Sequence, residues 1–286
     1  MKHLNTYITE YIIKKKLDKP IDSEDHYVYY PETKQELIDN VKELFNKGET
    51  NLNCIDTSKI TDMSRSFESY ENINFDISKW NVSNVTDMSY MFYDCKRFDC
   101  NLSSWDVSNV TDMAAMFTGC ENFEGKSLEN WNVSNVINMY SMFAFCTKLN
   151  CNLSKWNVTA NTTDMVAMFR NCSKFDSDLS NWDVSNVKHM DEMFLGCNKF
   201  EGKGLDKWNV SKVENMEYMF CDCIKFDCDL SNWDVSNVKD IQSMFEGCKK
   251  FKGNGLENWN VGNVKDMNYI FDDCTSLKNK PSWYKK

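Results

Sequence analysis

The sequence predicts an α/β repeat solenoid, with one short parallel strand and one short helix in each 25/26-residue coil and a helical cap at its N-terminal end. Three observations predict it. Tryptophan recurs as Trp80, Trp105, Trp131, Trp156, Trp182, Trp208, Trp233 and Trp259, always 25 or 26 residues apart. Inside each unit two apolar periods coexist, one helical and one strand-like. Glycine and proline number only 10 and 3, so neither a collagen-like nor a low-complexity chain is expected.

Taken from the N-terminus, residues 1–32 form a leading segment, in which Leu4, Tyr7, Ile8, Tyr11 and Ile12 share one face of a small helix over 3–16 and residues 17–32 connect it onward. Residues 33–54 carry the cap and lead-in. Thr33 and Glu36 have capping-box spacing, followed by Leu37, Val41, Leu44 and Phe45 on one helical face. Such a helix covers the core that a first coil would expose. Residues 55–286 make nine coils, with Ile55 in the tryptophan slot of the first and Trp283 opening a truncated tenth.

Met88, Met91, Phe92 and Cys95 stand at i, i+3, i+4 and i+7, which predicts about two helical turns per coil, entered through Thr86 and Asp87. Trp105 and Val107 alternate with Asp106, which predicts a strand, and stacking would pair these strands into one parallel sheet. At roughly 4.8 Å per strand, nine coils span on the order of 45 Å. Some coils are one residue longer between the last phenylalanine and the next tryptophan, and the added residue travels with Gly125, Gly202 and Gly253, which predicts a local turn there. The Trp156 unit gains its residue elsewhere, between Val158 and Asp164.

Charge narrows the partners. The net charge is -10, with 43 acids against 33 bases, so no nucleic-acid partner is expected. The apolar stretches fall short of the ~20 residues that cross a bilayer. Residues 1–19 lack a continuous apolar run and carry Glu10, so no signal peptide is expected, and the default location is the cytoplasm or a virion. The 13 cysteines are then reduced.

The recurring unit, a tryptophan followed by Asn or Asp, Val-Ser-Asn-Val-Thr-Asp-Met, two variable residues, Met-Phe, two more and Cys, resembles the 25/26-residue bacterial surface-protein repeat. This is the DUF285 family, related to BspA-like leucine-rich repeats, and the likeness covers about residues 33 to 280. The resemblance implies a leucine-rich-repeat-like solenoid, often displayed on bacterial or mycoplasma surfaces and associated with adhesion or recognition. Met1 to Glu10 also resembles the leader peptides of internal proteins of large tailed bacteriophages.

Residues present in every coil read as stacking rather than chemistry. Cys95, Cys120, Cys146, Cys172, Cys197, Cys223, Cys248 and Cys274 form one row that packs as small hydrophobes, with Tyr70 in the first slot. Cys100, Cys151 and Cys228 stand five residues after ladder cysteines, but no second pair has zinc-site spacing and histidines number only three. No metal or other cofactor is expected. No nucleophile, base and acid come together in the sequence, so the chain is expected not to be an enzyme.

The candidate binding stripe lies between the tryptophan and the valine: Asp56, Asn81, Asp106, Asn132, Asn157, Asp183, Asn209, Asp234 and Asn260. Strand alternation turns this row outward. The expected function is a non-enzymatic recognition or adhesion scaffold that binds a protein or glycan through its repeat surface. The alternative is a structural or virion-associated protein with an N-terminal targeting helix.

Overall fold

The computed structural model describes residues 27–72 and 74–284, and the segments expected over 3–16 and at Met1 to Glu10 lie outside these residues. The described chain is a repeat solenoid. At its N-terminal end α1 (Lys34–Asn46) has the full capping box: Thr33 accepts from the Glu36 N–H, and Glu36 accepts from the Thr33 N–H. Its Leu37, Val41 and Leu44 are buried over the first coil, and the Phe45 ring lies 5.0 Å from Tyr70 and 5.7 Å from Phe75. Lys34 ties the helix to Asp62 at 3.3 Å and to Ser64.

Two sequence expectations need correction. The segment from Met88 to Cys95 and its equivalents are not helices: α1 is the one α-helix among the described residues, and the coils hold only the single 3-10 turns Leu205–Lys207 and Leu256–Asn258. The backbone instead makes overlapping turns. Met91 N–H donates to Met88 O, Tyr93 N–H to Tyr90 O and Cys95 N–H to Phe92 O. The amides between them leave the coil, with Met88 bonding Asp112 O, Tyr90 Ala114 O, Phe92 Met116 O and Asp94 Thr118 O, at 2.7–2.9 Å. The reason is spacing. Helices cannot approach closer than about 8–10 Å, whereas coils joined by lateral amide bonds stack at about 4.8 Å. The i, i+3, i+4, i+7 pattern still describes which side chains go in, because the turns bury Met88, Met91, Phe92 and Cys95 just as a helix would.

The second correction concerns the pairing. Parallel bridges run unbroken through Asp62, Asp87, Asp112, Asn138, Asp164, His189, Asn215, Asp240 and Asp266, one residue per coil, whereas the tryptophan slot forms a bridge among the described residues only at Ile55 of the first coil, to Tyr29. In the tryptophan segments the donors are already spent. Trp105 N–H bonds Leu102 O, Val110 N–H bonds Val107 O, and Ser108 N–H bonds the Asp106 side chain, all within the coil. Pairing needs amides that point sideways, and those lie on either side of the aspartate: Thr86 donates back to Thr61 O, and Met88 donates forward to Asp112 O.

The core is a set of columns parallel to the long axis. Phenylalanines stack in a double file, with Phe92 on Phe98 at 4.2 Å within a coil and on Phe117 at 5.4 Å across coils. The indoles stack beside them: Trp105 to Trp131 and Trp131 to Trp156 are each 6.4 Å apart. Every indole N–H has a partner one coil back, such as Leu102 O for Trp131 and Leu128 O for Trp156, so the burial leaves no orphaned donor. The long connections also behave as expected. Gly202 has φ +88°, and a Cβ there would sit 2.7 Å from the Phe226 ring.

Candidate functional site

The stripe expected from the sequence does face outward, with Asp56 half-buried and its eight successors exposed. Its side chains are partly committed to the backbone. In eight of the nine coils the Oδ1 accepts from the N–H two residues on, at 3.0–3.2 Å, as Asp106 does from Ser108 and Asn209 from Ser211. Asn157 instead accepts from Val133 N–H and donates to Asn132, in the coil that carries the displaced insertion. Hydrogen bonds from Ser108 and Ser236 hold the Asp106 and Asp234 carboxyls below the usual range. A neighbouring file of asparagines also bridges coils, with Asn84 donating to Ser58 O and Asn109 to Ser83 O.

The cysteine row is buried, and all 13 thiols are free. Each ladder thiol donates to the carbonyl of the phenylalanine one coil back, such as Cys120 to Phe92 O at 3.1 Å and Cys197 to Phe169 O at 3.0 Å. Burial pushes the Cys95 thiol up to about 12. These sulfurs are therefore poor nucleophiles at neutral pH. Among the described residues no three His, Cys, Asp or Glu side chains converge as metal ligands would.

The turn segment has an outer side that the helical reading concealed. Each coil has four variable positions there, between the fixed methionine, Met-Phe and Cys: Ser89, Tyr90, Tyr93 and Asp94 in one coil, all partly exposed, and Ala114, Ala115, Thr118 and Gly119 in the next, small residues buried beneath their neighbours. The second of the four has positive φ in every coil from Arg65 (59°) to Tyr269 (60°), including Ala115 at 51° and Ser243 at 51°. Side chains other than glycine pay to sit there, and the interior over-determines the turn.

These positions differ from coil to coil, and the difference is systematic. In the earlier coils Tyr90, Tyr93, Tyr140 and Phe145 stand around the small side chains Ala115, Thr118, Ser141 and Ala144. They enclose a groove of about 550 Å³ that ends at Arg170, Asp191 and Glu192. Arg65 lies over the Tyr90 ring at 4.0 Å, and Arg170 over Phe145 at 5.5 Å. Arg170 also pairs with Glu192, while its Nε is buried without a partner. In the four coils from Met190 onward the same sixteen positions hold Asp191, Glu192, Glu217, Asp222, Glu246, Asp272 and Asp273 and not one Lys, Arg or His.

Burial raises the Asp191 carboxyl above the ordinary range, aided by Glu192 and Asp164. Burial also raises Glu217, together with the charges of Asp240, Asp191, Glu192 and Asp266. The surface thus divides into an aromatic groove and an acidic continuation. Sequence reasoning passed over it, although the signal was present in the four variable positions between invariant core residues.

With the coil geometry in hand, relatives can be placed. The family described as "Mycoplasma protein of unknown function, DUF285" matches residues 35–127, 100–203 and 163–284. The chain belongs to the DUF285 family. The three overlapping matches together span residues 35–284, from the capping helix to the last coil. No curated protein matches this DUF285 chain significantly.

Among solved structures it is similar to a leucine-rich repeat protein from Bacteroides ovatus, with a TM-score of 0.42 and 14% identity over 76% of this chain and 69% of that one. A leucine-rich repeat protein from Eubacterium ventriosum gives 0.34 and 14%, over 83% and 86%. A leucine-rich cell surface protein from Faecalibacterium prausnitzii gives 0.26 and 14%, over 77% and 82%. Among the described residues no helix is long and apolar enough to cross a membrane.

Proposed function

We propose that this DUF285 chain is a non-enzymatic recognition scaffold that binds a protein or glycan through its repeat surface, with the outward turn face as the main contact. One observation carries the reading. Four coils with a nearly uniform interior set out an uneven exterior, in which two tyrosines, a third tyrosine and a phenylalanine surround a groove of about 550 Å³ floored by small side chains. Grooves of this size with aromatic walls and a few polar groups are where ligands bind. Tyrosine supplies contact area at low entropic cost.

The stripe from Asp56 to Asn260 is proposed as a secondary contact, since its outer oxygens remain accessible beyond their backbone bonds. Protein and glycan arrays probed with the wild-type chain, Tyr140→Asp and Asp234→Ala test both assignments. Signals lost only in Tyr140→Asp support the turn face, and signals lost only in Asp234→Ala move the contact to the stripe. No signal from the wild-type chain on either array would overturn the scaffold reading.

A further inference from the structure

The groove and the acidic coils lie on one continuous face, in the same four variable positions of successive turns. The groove opens directly onto the acidic part, because Asp191 and Glu192 line its far end. The cation at that junction, Arg170, is already engaged by Glu192 and by the Phe145 ring, so it does not neutralise the carboxylates of the later coils. A ligand lying along the long axis would therefore meet apolar and aromatic surface first and then a file of carboxylates.

Resting on the reading that the turn face is a recognition surface, we propose that its partner is an extended polypeptide segment. This segment lays an aromatic or large aliphatic side chain in the groove and runs several lysines or arginines along the acidic coils. Charge complementarity selects this occupant. An uncharged glycan could stack on the tyrosines but would bring no cation to the six carboxylates that remain once Glu192 is paired with Arg170, and a nucleic acid would be repelled by them.

The lengths also agree. From the coil of Met88 to that of Met267 there are seven steps, which at about 4.8 Å each span about 34 Å, the length of roughly ten extended residues. A ligand cation beside Glu217 favours its charged form against the burial and neighbouring carboxylates that raise it, so the complex is expected to weaken as pH falls into the carboxylate range.

The test uses the full chain and fluorescence anisotropy with labelled decapeptides. One carries phenylalanine near one end and four lysines toward the other, and its controls replace the lysines by glutamate or the phenylalanine by glycine. The first peptide is expected to bind, and to bind less well as salt rises. Glu217→Lys combined with Asp222→Lys should weaken it about tenfold and flatten the salt dependence. Tyr140→Ala should weaken it while leaving the salt dependence in place. Equal binding of the glutamate peptide, or indifference to the two charge reversals, overturns the proposal.

If no decapeptide binds while the glycan array does respond through Tyr140, the basic-peptide inference fails and the recognition reading survives. If decapeptides and both arrays are silent, both fail. Circular dichroism melting of each variant separates lost binding from lost fold.

Discussion

The aromatic coils from Met88 to Met165 and the acidic coils from Met190 to Met267 share an interior and differ in their skin. Inside, both have the same stacked phenylalanines, the same indole row and the same buried thiols bonded to a carbonyl one coil back. Outside, one half gathers tyrosines and alanines and the other gathers carboxylates. Stacking and surface chemistry thus fall to different residues of the same turn. A coil that touches only its neighbours needs a constant interior to stack, whereas the variable positions are held less strictly, by the backbone angle they share and, at Gly119, Gly196 and Gly247, by a side chain one coil back.

The sharpest way to test that division is to damage the interior equally in both halves. Trp131→Ala and Trp233→Ala should each cost about 3–5 kcal/mol in urea unfolding, since each empties a buried indole site and removes one of the two hydrogen bonds that Leu102 O or Leu205 O accepts. Similar values in the two halves confirm a common interior. A loss well below this range in one half would show that half to be packed differently.

A smaller effect probes the shared backbone. Ala115 and Ser243 hold φ 51° at the same turn position, one in each half. A β-branched side chain is strained there, so Ala115→Val and Ser243→Val should each destabilise by about 1–3 kcal/mol in the same assay. A neutral Val in either half would mean that its turn relaxes out of the left-handed region.

The smallest effect separates the skins. In the acidic half Asp191 and Glu217 have raised carboxyl values, so the folded chain holds protons that the unfolded chain has released, and stability falls as pH rises through the window just above the ordinary carboxylate range. Asp106 and Asp234 act in the opposite sense. Their depressed values give a contribution that is present above the unfolded value and lost as pH falls through the folded one. Glu217→Gln should therefore raise the neutral-pH melting temperature slightly, since solvent screening keeps the effect small, and flatten the curve toward mild acid. An unchanged pH profile would show that the acidic half carries its charge without strain.

Much of this was legible in the amino-acid order. The 25/26-residue recurrence, the inward set of Trp, Met, Phe and Cys, the capping box at Thr33 and Glu36 and the turn glycines all follow from local chemistry and period. The candidate stripe was visible as an outward row, but not its bonding to the amide two residues on. The groove was hidden because the segment that carries it reads as a helix, and a helix would have distributed Tyr90, Tyr93 and Asp94 differently around its axis.

The sequence by itself determined which residues face in and how often the pattern returns, because burial depends only on hydrophobic spacing. The tertiary structure decided the backbone between those residues. A helix and a run of overlapping turns bury the same i, i+3, i+4, i+7 set, and only the close stacking of coils, which requires amides to reach sideways to Asp112 O, Ala114 O and Met116 O, selects the turns. That choice carried the pairing from the tryptophan to the aspartate row and brought Tyr90, Tyr140 and Phe145 to the rim of one groove.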